Sequence, residues 1–146
     1  SGALLDGRVE IRNPQIVNHK AGYRLYFFEA GQIRTALSDN AVDWKVEESS
    51  VVAFEPSARD AVGANPYSFQ LLDGGPGRSK MLVAADQGKL LLLESDDEMR
   101  WQLSQEFPDP LLSVDAKWDD VSSPYGILLP GEGLRVYFAT RSEPDE

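Results

Sequence analysis

The sequence predicts an all-β chain of repeated, four-stranded antiparallel sheets, and three observations carry that reading. First, two segments match without a gap: residues 31–44 read GQIRTALSDNAVDW and residues 88–101, 57 positions later, read GKLLLLESDDEMRW. The glycine, the Ser-Asp pair and the tryptophan fall in register, so one unit is used twice. Second, each copy follows a polar residue and a proline, an apolar run and a further β-rich run. These are Asn13-Pro14, QIV from Gln15 and YRLYFF from Tyr23 in the first copy, and Asn65-Pro66, YSFQLL from Tyr67 and KMLVAA from Lys80 in the second. Third, the runs follow strand periods, and no segment reads as a convincing helix.

Taken in order, QIV from Gln15 is the first strand, and YRLYFF from Tyr23 the next. In YRLYFF, Tyr23, Leu25 and Phe27 share one face and Arg24, Tyr26 and Phe28 the other; two apolar faces mark a strand sandwiched between layers. QIRTAL from Gln32 alternates less cleanly than its counterpart KLLLLE from Lys89, which is apolar on both faces and should be the better buried. DWKVEE and RWQLSQE alternate as half-exposed outer strands do. Segments rich in Pro, Asp, Ser and Gly, 55–64 and 107–123, carry the chain back to the start of the next unit. The Asn-Pro offset is 52 rather than 57, and the five extra residues fall in the hairpin around Asp73-Gly74-Gly75-Pro76-Gly77. A third copy starts at Ser123-Pro124 with YGILL, turns at Pro130-Gly131-Glu132-Gly133 and continues as LRVYFAT from Leu134. The expected organisation is one domain, 1–146, with units near 13–50, 65–106 and 123–140, the last incomplete.

Within the repeat, Ser38-Asp39-Asn40 and Ser95-Asp96-Asp97 are expected to close turns through side-chain bonds to local backbone, with Trp44 and Trp101 returning to cover each hairpin. Two copies speak for turn staples, because one active site has no need of a duplicate.

With 146 residues, 42% of them hydrophobic and 10% aromatic, the chain can fill a core. It has no cysteine, so neither disulfides nor thiolate metal sites support it, and the redox compartment stays open. A formal net charge of −10 disfavours nucleic acid and anionic membrane surfaces as partners. Nothing resembles a signal peptide or a membrane span. The missing initiator methionine leaves a processed leader open, and localisation is left unassigned. No cofactor and no metal site are expected.

Units of this length and strand content point to a propeller-type array, in which small antiparallel sheets pack face to face. The order Asn-Pro-apolar, YRLYFF, IRTALSDNAVDW resembles a blade of the five-bladed propeller glycosidases, the arabinanase, xylosidase and fructosidase group. Their blades typically read Asp-Pro-apolar, Tyr-x-Leu-Tyr-Tyr and Ile-x-x-Ala-x-Ser-x-Asp-Gly-x-x-Trp. The resemblance is fullest over 13–48, extends over 65–106, and is fragmentary over 123–140. It implies a central axis on which the innermost strands converge, with an acid before each motif proline and paired carboxylates acting as general acid and as base or nucleophile. The matching positions here are Asn13, Asn65 and Ser123, and none can ionise. Asp60, Asp119 and Asp120, with Glu29, are nearby acids off the motif position.

The resemblance places Trp118 on a loop bordering the axial cleft. There it would stack on a sugar ring while Asp119 and Asp120 bind hydroxyls; the alternative is a tryptophan capping the joint between blades. Arg12 and Arg59, near inner-strand starts, would bind an anionic ligand or pair with the many acids. Asn13, Asn65, Trp118, Arg12 and Arg59 are thus the candidate ligand-binding set, and Asp60, Asp119 and Asp120 the candidate catalytic one. His19, the only histidine, lies in the turn NHKAG and reads as solvent-exposed. The Gly74–Gly77 run lacks the lysine and helix of a phosphate loop.

The unfinished third unit leaves an apolar edge and blade face open to water. Two chains of two and a half blades make five, so the expectation is a homodimer that closes or nearly closes a ring, with ALLDGRVEI at 3–11 adding a strand; the alternative is a fragment of a longer product. Three functions remain open: a non-catalytic glycosidase-like propeller module that binds carbohydrate or scaffolds assembly, a glycoside hydrolase with relocated carboxylates, and a structural or protein-interaction domain.

Overall fold

In the computed structural model, residues 11–63, 66, 68–72, 78–85, 89–111, 120–129 and 133–141 are described. They form antiparallel sheets with one short helix, and the chain divides into two compact units at Val52 and Ala53.

The first unit is a meander in the order β1-β2-β3-β4, with β1 Arg12–His19, β2 Gly22–Glu29, β3 Gln32–Ser38 and β4 Lys45–Val51. Ala30 and Gly31 both adopt left-handed φ, 50° and 76°, between the paired residues Glu29 and Gln32. That geometry gives a two-residue hairpin the twist of its strands. β2 is buried without a break from Arg24 to Phe28, as two apolar faces require. Leu25, Phe27 and Ala36 form a cluster on one face, with Ile11, Trp44 and Val46 packed on it.

The second unit holds a five-stranded sheet in the order β5-β9-β8-β7-β6: β5 Ala53–Phe54, β6 Ser68–Leu72, β7 Ser79–Ala85, β8 Lys89–Ser95 and β9 Arg100–Leu103. β8 is buried from Leu90 to Ser95, deeper than β3, as its leucine run predicts. β5 joins parallel to β9: Ala53 N–H donates to Met99 O at 2.9 Å and Glu55 N–H to Trp101 O at 2.8 Å.

The segment expected to be only a connection contains a helix, α1 Pro56–Val62. Pro56 fits the first helical turn, where its missing N–H is no loss. Ala58 and Val62, four apart, give it a buried stripe, and Gly63 ends it at φ 76°. Seven residues carry too few periods for the stripe to stand out in sequence.

The hairpin of β10 Asp120–Leu129 and β11 Gly133–Arg141 packs one face on this sheet. Leu128, Leu134 and Val136 lie against Leu72, Leu82, Ala84, Leu90 and Leu92. The Gln70 amide docks along β10, accepting from Gly126 N–H at 2.5 Å and donating to Gly126 O at 3.4 Å. A side chain thereby pairs backbone groups that would otherwise be buried without partners. Glycine is required there: a Cβ at 126 would lie 2.5 Å from Leu82 Cδ1 and 2.7 Å from Leu72 Cδ2. Gly126→Ala should therefore destabilise the protein by about 1–3 kcal/mol through overpacking. Urea unfolding with an unchanged midpoint would contradict this packing.

Candidate functional site

The motif prolines mark a repeated backbone feature. Between Arg12 and Gln15 the β1–β2 register slips, so that Asn13 and Pro14 make a bulge, with Asn13 at φ 54°. Asparagine is among the few residues that tolerate this left-handed conformation. A second slip falls between Ser122 and Tyr125, across Ser123-Pro124 on β10. Pro66, in contrast, precedes β6. Bulges re-aim side chains at strand ends, which is how a scaffold presents chemistry, and here the residue before each bulged proline is Asn13 or Ser123.

The other candidates are spread out. Arg12 is exposed at the start of β1. Arg59 and Asp60 lie on the exposed side of α1, and Arg59 Nη2 donates to Phe54 O at 3.3 Å, so this arginine braces the helix on β5. Asp120 opens β10, where it is placed by its backbone alone. Asn65, Trp118 and Asp119, with the tip at 73–77 and the segment 3–10, lie outside the described residues. His19 ends β1, half-buried rather than exposed, paired with Gly22.

The repeated Ser-Asp segments are turn staples, with one correction: the first and third residues of each triplet make the local backbone bonds, and the second, Asp39 or Asp96, does not. Asn40 Oδ1 accepts from the Val42 and Asp43 N–H groups at 2.9 Å each, and Asp97 Oδ1 accepts from Met99 at 2.9 Å and Arg100 at 2.7 Å. Ser38 and Ser95 hydroxyls donate to those same oxygens at 3.1 Å. Asp39 is exposed, and Asp96 reaches Arg78 at 2.8 Å. Ala41 and Glu98 follow at φ 60° and 63°, where the resembling blades carry glycine.

Strand register also corrects the alignment of the two copies by one residue. Arg24 pairs with Leu37 and Lys80 with Glu94, while Leu37 and Glu94 are 57 apart, so Lys80 corresponds to Arg24 and not to Tyr23. The extra residue lies in the β7–β8 connection, which leaves three residues between Ala85 and Lys89 against two between Glu29 and Gln32. In this register both sheets set a cation, Arg24 buried and Lys80 half-buried, beside a carboxylate, with the acid on different strands. In the first, Arg24 lies 3.6 Å from Glu47 on β4, which also accepts from Thr35 Oγ1. In the second, Lys80 Nζ lies 3.4 Å from Glu94 on β8, and Ser104, the counterpart of Glu47, donates to Glu94 at 2.8 Å. Sequence reasoning missed both pairs, because the carboxylate changes strand and only strand pairing brings it to its cation.

Glu94, Asp96, Asp97, Glu55, Arg100 and Gln102 line a cleft of about 580 Å³. Burial pushes the Glu94 carboxyl up, yet the Ser104 hydroxyl, the Lys80 charge and the Gln105 backbone together hold it below its ordinary value. Asp97 is held low chiefly by the Arg100 and Met99 N–H groups. Both carboxyls are thus kept ionised, the opposite of what a glycosidic proton donor needs. Among the described residues, no group of three His, Cys, Asp or Glu side chains could hold a metal ion.

No protein-family model matches the chain, and neither does any curated protein. Among solved structures it is similar to a thermostable family-43 glycoside hydrolase, with a TM-score of 0.63 at 17% identity over 88% of this chain. The chain spans 41% of that hydrolase's length. The shared fold and the four-stranded meanders define the class: an all-β protein of propeller-type blades, similar in fold to a glycosidase.

Two outcomes follow from this local chemistry. Ala41→Gly should stabilise the protein by up to about 1 kcal/mol, by relieving a left-handed Cβ clash, and thermal unfolding reads it directly. Glu94→Gln should cost on the order of 2 kcal/mol at neutral pH, since it removes a buried carboxylate that bonds Ser104 and pairs with half-buried Lys80. Because the folded state holds the Glu94 carboxyl low, its contribution is complete above the unfolded value of roughly 4.3 and fades as pH falls through the folded one. The variant's melting temperature should fall less steeply than wild type across that acid range; parallel profiles would refute the assignment.

Proposed function

We propose that the chain is a non-catalytic, glycosidase-like propeller module that binds carbohydrate or scaffolds assembly. The observation that carries this reading is the chemistry at the bulged strand starts. Where the resembling enzymes hold an acid before the motif proline, this chain holds Asn13 on β1 and Ser123 on β10, with Asn13 at φ 54° inside the bulge. An amide and a hydroxyl can hydrogen-bond a sugar, but neither delivers nor abstracts a proton at neutral pH as a paired carboxylate does. Glu94 and Asp97 in the cleft support the same reading, because a hydroxyl, a lysine and backbone amides hold these two carboxyls below their ordinary values. Asp60 stands exposed on α1, away from β10 in sequence and in sheet. The hydrolase similarity supports the scaffold; the activity belongs to that protein and its residues.

A screen of chromogenic glycosides alongside a glycan array tests the proposal. The expected outcome is no turnover, with retention of one or more glycans that Asn13→Ala weakens. Turnover that disappears in Asp120→Asn would assign catalysis to a relocated carboxylate and overturn the reading.

A further inference from the structure

The β10–β11 hairpin carries a second apolar face, opposite the one packed on the β6–β9 sheet. Tyr125 and Tyr137 pair directly across the two strands, and Ile127 pairs with Arg135 beside them. All are exposed, the tyrosines at 57% and 53% and Ile127 at 38%. Three of the five exposed large hydrophobics among the described residues therefore share one small surface.

The register shows what this face becomes in the other two sheets. Both x-Pro bulges are followed by an equivalent pair, Gln15 with Tyr26 and Tyr125 with Tyr137, so Tyr137 corresponds to Tyr26 and Arg135 to Arg24. Through the β2–β3 and β7–β8 pairings, the same positions in the second sheet are Leu82 and Lys80. Tyr26 and Leu82 are wholly buried, and Arg24 and Lys80 each lie beside a glutamate. Tyr137 and Arg135 therefore occupy positions that this chain twice covers and twice neutralises, whereas here both are exposed and no described carboxylate side chain lies beside Arg135.

We propose that this face, centred on Tyr125, Ile127, Arg135 and Tyr137, is a self-association surface that docks the same face of a second copy across a two-fold axis. The described residues give a second copy no other clustered apolar surface to present. Ile16 stands alone on the edge strand β1, and Val42 stands alone in a turn. Charge favours the same choice. The chain bears a formal −10, yet the described side chains of this face include one arginine and no acid, so a second copy docked there brings no described carboxylates together. The face is also its own complement: an axis near the Tyr125–Tyr137 pair sets each guanidinium against the partner's tyrosine rings, a favourable stacking arrangement, and an isologous contact needs that self-matching. Tyrosine and arginine are the residues that most often anchor such contacts.

Size-exclusion chromatography with light scattering on the full chain decides the matter. The expected mass is twice the 16.1 kDa of one chain, falling to a single chain in Tyr137→Lys and in Tyr125→Ser, with far-UV circular dichroism unchanged. Val42→Lys, equally exposed but off the face, should leave the dimer intact. A wild type that stays monomeric at its highest soluble concentration overturns the proposal. So does a dimer that survives both tyrosine variants. A monomer that binds immobilised polysaccharide and loses that binding in Tyr137→Ala would assign the face to a saccharide instead.

Discussion

Two-sided burial of the middle strands is the constraint on which the rest of this structure depends. β2 is buried from Arg24 to Phe28, β7 from Met81 to Ala85 and β8 from Leu90 to Ser95, so no sheet containing them can rest one face on water. A strand apolar on both faces calls for cover on both. The same constraint dictates how polar atoms behave inside. Arg24 and Lys80 lie beside Glu47 and Glu94, and the Gln70 amide serves the backbone of Gly126. An unpaired charge at the depth of Arg24 would cost several kcal/mol.

Much of the polar chemistry that looks functional in this chain is thereby committed to the fold. Asn40 and Asp97 hold turns, Glu94 holds a half-buried lysine, and Arg59 braces a helix against the strand it follows. The bulged strand starts place Asn13 and Ser123 at the positions where the resembling blades carry an acid. A scaffold of this class places chemistry at such points, and the residue type there decides whether a proton can move. The fold is similar to that of a glycosidase while the motif positions carry no acid, and the proposed module role rests on that separation of fold from site.

The alternation of YRLYFF and the leucine run of β8 made the sheets legible, because period-two patterning and two-sided hydrophobicity are local properties. The repeated Ser-Asp turns were legible for the same reason, although the bonding oxygens belong to the first and third residues of each triplet and not to Asp39 or Asp96. The helix at 56–62 escaped notice because only Ala58 and Val62 write its stripe. The ionic pairs escaped because Glu47 and Glu94 stand on different strands, and a single-residue difference in hairpin length hides the equivalence of Arg24 and Lys80. Of the candidate site, the proline positions were visible in sequence; the bulges that set the backbone of Asn13 were not.

By itself, then, the amino-acid sequence determined strand content, the repeat and the replacement of the motif acids, since these follow from residue identity and short-range period. Only the tertiary structure decided which carboxylates are bound to cations, that β5 would join β9 in parallel, and that Tyr125 and Tyr137 would share an exposed face. Those outcomes depend on which strands lie side by side, a matter of long-range register that local composition does not encode.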